Sequence, residues 1–165
     1  MKSLKICEIK NFMSELLVKN TFDDFLLVDL EINTANKYNI SGRINKKWYT
    51  DEELEQLTDK EYIKWNNTKE MAYSIIKGNK TPLSMKIVMG ISTTSIEQFI
   101  TNNGLTYRTE EIGGMYLNIK YENNELYMVT GVSFKNFNLD KTLENTWDEY
   151  IIKFLKEHAI AAICE

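Results

Sequence analysis

The sequence predicts an α+β fold made of antiparallel sheets, and three observations carry that prediction. Two stretches alternate apolar and polar residues on both sides of a turn, as half-buried hairpins do. Several other stretches repeat their apolar residues at helical spacing. The order strand, helix, connection, hairpin then occurs twice, over residues 3–77 and 83–134, with a helix at 140–158 added. All 165 residues fit one domain, a length that buries about two-thirds of the unfolded surface without metals or disulfides.

In chain order, residues 4–8 read as a strand and residues 9–19 as a helix with Ile9, Phe12, Met13, Leu16 and Leu17 on one face. Leu26, Val28, Leu30 and Ile32 alternate with Leu27, Asp29, Glu31 and Asn33, and Tyr38, Ile40, Gly42 and Ile44 alternate with Asn39, Ser41 and Arg43 after the turn at Thr34-Ala35-Asn36. A turn centred on Ala35 places Ile32 opposite Tyr38, Leu30 opposite Ile40 and Leu26 opposite Ile44. Thr50-Asp51-Glu52-Glu53 is a capping box that opens an acidic helix reaching, with a break, to Trp65. Trp48 and Trp65 flank that helix and are expected to pin it down. Residues 71–77 suit strand or helix, and strand is the preferred reading.

Gly78-Asn79-Lys80-Thr81-Pro82 is turn chemistry, followed by the alternating Leu83, Met85, Ile87, Met89 and Ile91. Ser92 or Thr94 caps the next helix, which Gly104 ends. Gly113-Gly114 precedes a hairpin around Asn123-Asn124 that sets Tyr121 against Leu126, Ile119 against Met128 and Leu117 against Thr130. The closing helix carries Leu143, Trp147, Tyr150, Ile151, Phe154 and Leu155 as its apolar stripe. The apolar tail, Ala159 to Cys164, is expected to continue that helix into a groove or a neighbouring subunit. In the two halves, Ile40-Ser41-Gly42-Arg43-Ile44 matches Val129-Thr130-Gly131-Val132-Ser133 in pattern.

The stretch Lys77-Gly78-Asn79-Lys80-Thr81-Pro82-Leu83-Ser84-Met85-Lys86-Ile87, with Tyr116-Leu117-Asn118-Ile119-Lys120-Tyr121 and Thr130-Gly131-Val132-Ser133, resembles an uncharacterised domain-of-unknown-function family of Clostridia-type bacteria. The resemblance runs over most of the chain and implies a bacterial, cytoplasmic protein; it carries no activity and no catalytic residues. A more distant, topological likeness is to the sliding-clamp domain, a repeated βαβββ unit. There, helices facing DNA carry basic residues. Here the first helix offers Lys10 and Lys19, while the second has Glu97 and neither Lys nor Arg, which argues against DNA encirclement.

Charge and rare residues exclude more than they assign. The net charge of −4 gives no global attraction to nucleic acid or anionic lipid. Residues 1–80 hold 13 basic and 13 acidic residues, the rest 7 and 11, so a polyanion contact belongs to the first half. One His and two Cys rule out a Cys/His zinc cluster within the chain, and His158 reads as a helix-end residue. Gly78-Asn79-Lys80-Thr81 lacks the earlier glycine of a phosphate loop, and Pro82 forbids the helix that would follow. No apolar run approaches a membrane span, and no cofactor or metal is expected. Cytoplasm is the default compartment.

Two clusters remain as candidate sites. Asp29 and Glu31, on one face of a strand opposite Ser41 and Asn39, are the pair that a small Mg²⁺-assisted enzyme would use. Tyr116, Asn118, Lys120 and Tyr127 share one face of the second hairpin and form a candidate binding face. Strand exposure alone accounts for the carboxylates, and a covering helix would make the tyrosines core. The reading is a non-catalytic binding or assembly domain, clamp-like in outline, with a protein partner or a second copy as its expected partner.

Overall fold

The computed structural model describes residues 1–78 and 80–165. The turn read at residues 78–82 lies outside the described residues at Asn79.

Among the described residues, seven strands form one antiparallel sheet: β1 (Ser3–Ile6), β2 (Leu26–Asn33), β3 (Lys37–Ser41), β4 (Ser84–Gly90), β5 (Ile112–Glu122), β6 (Glu125–Phe134) and β7 (Ala162–Cys164). Their order is β3-β2-β4-β5-β6-β1-β7. The register stacks apolar residues in rows on one face. Ile32, Met85, Tyr121 and Leu126 make one row; Leu30, Ile87, Ile119, Met128 and Leu4 make the next. All are buried. Against this face pack α1 (Ile9–Leu17), α3 (Lys69–Ile76), α4 (Thr93–Asn102) and α5 (Thr142–Glu157), through Phe12 and Leu16, Ala72, Ile96 and Phe99, and Leu143, Trp147, Ile151 and Leu155. The short α2 (Asp51–Glu55) lies outside this layer with no buried residue.

The second hairpin has the expected register, with Asn123 and Asn124 at φ 53° and 61° in the left-handed region that a two-residue turn with right-handed strand twist demands. The first has it only in part. Ile32 faces Tyr38 and Leu30 faces Ile40, but Ile44 does not face Leu26. The β2–β3 pairing ends at Asp29 and Ser41, next to the bulge that β2 makes between Leu27 and Asp29 in its pairing with β4. Beyond it, residues 61–65 run alongside: Ile44 N–H donates to Glu61 O at 2.8 Å, Ile63 N–H to Gly42 O at 2.9 Å and Leu27 N–H to Ile63 O at 2.8 Å.

That staple is why the acidic helix stops early. The Thr50–Glu53 capping box forms, yet α2 ends at Glu55. Leu54 and Leu57 are the only apolar residues between the cap and Asp59, too few for a helical stripe. Asp59 then accepts from the backbone of Glu61 and Tyr62, both at 2.9 Å, and turns the chain into the staple. Trp65 is buried, whereas Trp48 is 81% exposed and pins nothing.

Residues 71–77 also differ from expectation, forming α3 rather than a strand. The apolar residues that join the core sit at 72, 75 and 76, a helical face that docks on α1, while Met71 and Tyr73 stay exposed. Lys69 fastens the start of the helix, its ammonium donating to Asp23 at 2.6 Å and to Lys19 O at 3.1 Å. The tail does not extend α5. The chain reverses at Ala159, at φ 54°, buries Ile160, and adds β7 to the edge of β1. Cys164 lies opposite Leu4 rather than Cys7, so the two exposed thiols are out of register for a disulfide. The first strands of the two similar halves have different neighbours, β1 between β6 and β7 and β4 between β2 and β5.

Two buried acids tie the layers together. Asp148 accepts from Thr130 Oγ1, which itself accepts from Lys2 N–H at 2.9 Å, so α5, β6 and the chain entering β1 share one polar knot. Glu15 accepts from Lys19 Nζ at 2.8 Å and from Thr21 Oγ1. These hydrogen bonds, that of Lys19 foremost, hold its carboxyl below the ordinary value of 4.5. A depressed folded-state value contributes stability that is complete above pH 4.5 and lost as pH falls through the folded value. Glu15→Gln is therefore expected to cost about 1–2 kcal/mol at pH 7. Melting curves should show the gap from the parent protein closing as pH drops below 4.5; a gap independent of pH would refute the assignment.

Candidate functional site

The face of the sheet opposite the helices holds both sequence candidates. Alternation makes this automatic: when Leu30, Ile87 and Ile119 turn inward, Glu31, Lys86 and Lys120 turn outward. One outer row runs Asn39, Glu31, Lys86, Lys120, Tyr127, Lys5, Ile163, and the next Ser41, Asp29, Val88, Asn118, Val129, Ser3. No helix covers these rows among the described residues, contrary to the covering helix considered for the tyrosines. Val88, Asn118, Tyr127 and Val129 are half-buried by their neighbours in the sheet alone.

Lys120 and Tyr127 are direct cross-strand partners, with Asn118 beside them. Lys5 enters from β1, its ammonium 2.7 Å from Glu125 Oε1 and 5.7 Å from the centre of the Tyr127 ring. Tyr127 donates to Glu125 Oε2 at 3.1 Å, and this bond raises its phenol above the ordinary value of 10.0. Glu125, chiefly through Lys5, is held below 4.5. Lys120 pairs with Glu122 at 3.1 Å. The result is an apolar centre of Val88 and Val129 with a rim of paired charges.

Tyr116 shares the face by parity, beyond Asn118 and about 13 Å along β5 from Lys120. Its ring folds back over Gly114, where an added Cβ would lie 2.2 Å from the phenolic oxygen. The Gly113-Gly114 pair thus makes room for a tyrosine ring within a bulged strand. Burial is the main reason the Tyr116 phenol is raised above 10.0, with Tyr62 and Glu61 adding to it. It lines a cleft of about 590 Å³ with Tyr62, Glu61, Asp59 and Lys135, at the corner where residues 58–62 overhang the sheet.

Asp29 and Glu31 are outward and two apart, as the alternation predicts. Glu31 is engaged by Lys37 at 3.0 Å, and the cross-strand neighbours of Asp29 are Ser41 and Val88. Among the described residues, no three His, Cys, Asp or Glu side chains gather to hold a metal ion. No helix among them is long and apolar enough to cross a membrane. Sequence patterning did not bring Lys5, Lys86, Val88 and Val129 into the face. Alternation marks each as outward on its own strand, but placing them side by side requires that β4 lie between β2 and β5 and that β1 join β6.

These features define a two-layer α+β domain: one antiparallel sheet, helices on one face, the other face open. The chain belongs to a family of unknown function, DUF5721, whose model matches residues 15–162. No curated protein and no solved structure matches it significantly.

Proposed function

We propose that this protein is a non-catalytic binding module that docks a protein partner on the open face of its sheet. The observation that carries the reading is the face itself: strands β4, β5 and β6 present Val88, Val129, Tyr127, Asn118 and Lys120 with nothing packed over them among the described residues. An apolar and aromatic centre inside a polar rim is the anatomy of a protein interface. Lys5, Lys120 and Glu31 are all in ion pairs, which leaves Lys86 as the one lysine of that row without a pair among the described residues; so little free charge suits a protein surface better than nucleic acid. The setting proposed, a bacterial cytoplasm, rests on the sequence resemblance.

A clamp-like assembly of several copies is a narrower form of this reading. It is supported by the free sheet edges β3 and β7 and by the gathering of the helices on one face. The helix charges lend it nothing, since α4 carries Glu97 and no Lys or Arg. The alternative, a carboxylate enzyme using Asp29 and Glu31, has only their proximity in its favour.

The test is photo-crosslinking in cells, with a benzophenone amino acid at position 120 or 127 and a control at Lys153, an exposed α5 residue. The expected result is one adduct, shared by positions 120 and 127 and missing at 153. With that partner purified, the double variant Tyr127→Ala, Lys120→Glu should bind at least about tenfold more weakly, while Asp29→Ala with Glu31→Ala should bind normally. Identical adducts at all three positions, or unchanged affinity of the first variant, would sink the proposal. A rise in melting temperature with Mg²⁺ or Mn²⁺, lost when Asp29 and Glu31 are replaced, would favour the enzyme.

A further inference from the structure

A second site, independent of the open face, lies on the helical side. Between α1 and α3 runs a groove of about 500 Å³, within the range of roughly 300–1,000 Å³ typical of small-molecule sites. Its floor is apolar and buried, formed by Leu17 at the end of α1 and the cross-strand pair Met85 and Tyr121. Met13 and Ile76 form the walls. At the mouth, Val18 and Tyr73 remain 61% and 41% exposed, so apolar surface is left in water there.

The charge around this groove is one-sided. Lys10, Lys77 and Lys80 line it and no acidic residue does, in a chain whose net charge is −4. None of the three makes an ion pair among the described residues, so their charge is not offset at the groove. Lys77 lies over the Tyr73 ring, 5.8 Å from its centre, which holds its ammonium at the mouth. All three belong to the first 80 residues, the half to which the charge count assigns any anion contact. By contrast, the cleft beside Tyr116 mixes Lys60 and Lys135 with Asp59, Glu61 and Glu110, so its charges offset one another.

We infer that the α1–α3 groove binds a single-chain anionic amphiphile, a fatty carboxylate, with its tail on Leu17, Met13, Met85 and Tyr121 and its head among Lys10, Lys77 and Lys80. An apolar floor accepts a chain without a hydrogen-bonding sequence, and unpaired ammonium groups at the rim select a negative head. The α1 wall from Ile9 to Val18 is about 13 Å long, enough to lay out an extended acyl chain. No sheet edge borders the groove among the described residues, so a peptide would find no strand to pair with.

Calorimetric titration of the whole protein with dodecanoate below its micelle concentration tests this. Dodecylammonium and dodecanol serve as probes with the same tail and a different head. Saturable binding of dodecanoate is expected, with dodecanol at least about tenfold weaker and dodecylammonium weaker still. The triple variant Lys10→Glu, Lys77→Glu, Lys80→Glu should lose dodecanoate binding and keep its melting temperature, because all three side chains are exposed. Should that variant misfold, Val18→Asp at the exposed mouth must still weaken binding. Absence of saturation, equal affinity for dodecylammonium, or association only with anionic lipid vesicles would each overturn the inference. None of these outcomes depends on the partner of the sheet face.

Discussion

Replacing Gly42 by alanine is expected to unfold this protein or to cost about 4 kcal/mol or more, which places it among the rare severe single substitutions. A Cβ at this position would lie 1.7 Å from the carbonyl oxygen of Leu27. The obstacle is backbone, and it is held on both sides. Gly42 N–H donates to Val28 O at 3.0 Å, and Gly42 O accepts from Ile63 N–H at 2.9 Å. Relief therefore requires opening the staple of residues 61–65 against β2. Gly131, the matching residue of the second hairpin, has nothing nearer to its would-be Cβ than Asn118 Nδ2 at 3.9 Å. Gly131→Ala should change stability by no more than about 0.5 kcal/mol. Urea unfolding of the two variants decides the matter, and similar midpoints for both would show that the close approach at Gly42 is not what fixes it as glycine.

Trp65→Ala should be nearly as damaging. The side chain is fully buried, and its indole N–H donates to Leu16 O at 2.9 Å, one of the carbonyls the end of α1 leaves without a helical partner. Truncation leaves both a large cavity and an orphaned acceptor, together about 3–5 kcal/mol. For a chain of this length that lowers the melting temperature by roughly 6–20 °C. Trp65→Phe separates the two effects: it retains most of the ring volume and loses the donor, so about 1–3 kcal/mol should go. If Phe were as costly as Ala, packing volume would not be what Trp65 contributes.

Elements built on local chemistry are legible in the amino-acid sequence alone. The Asn123-Asn124 turn, the Thr50–Glu53 capping box and Ser92 at the start of α4 act within a few residues, and each forms as its local pattern predicts. Hairpin register follows from turn length for the same reason. The segments that depart from their local pattern are those whose state a distant neighbour decides. Residues 71–76 carry aromatic and β-branched residues that suit a strand, but α1 offers them a helical docking face. Ile44 has the right parity to extend the first hairpin, but residues 61–65 take its place beside Leu27. The tail is apolar enough to prolong α5, and β1 offers an unpaired edge instead.

The candidate site divides in the same way. Alternation identifies Tyr116, Asn118, Lys120, Tyr127, Asp29 and Glu31 as facing away from Leu30, Ile87 and Ile119, because side chains on a strand have a period of two. The sequence by itself determined an α+β chain, its two hairpins, and the polar face of each. Only the tertiary structure decided that both hairpins join one sheet through β4, that the helices gather on the opposite face, and that Lys5 stands beside Tyr127. It also brought Lys10 from α1 together with Lys77 and Lys80 around one apolar groove. Strand order and helix docking are set by contacts between residues tens of positions apart, and no local pattern in the chain encodes which of them will meet.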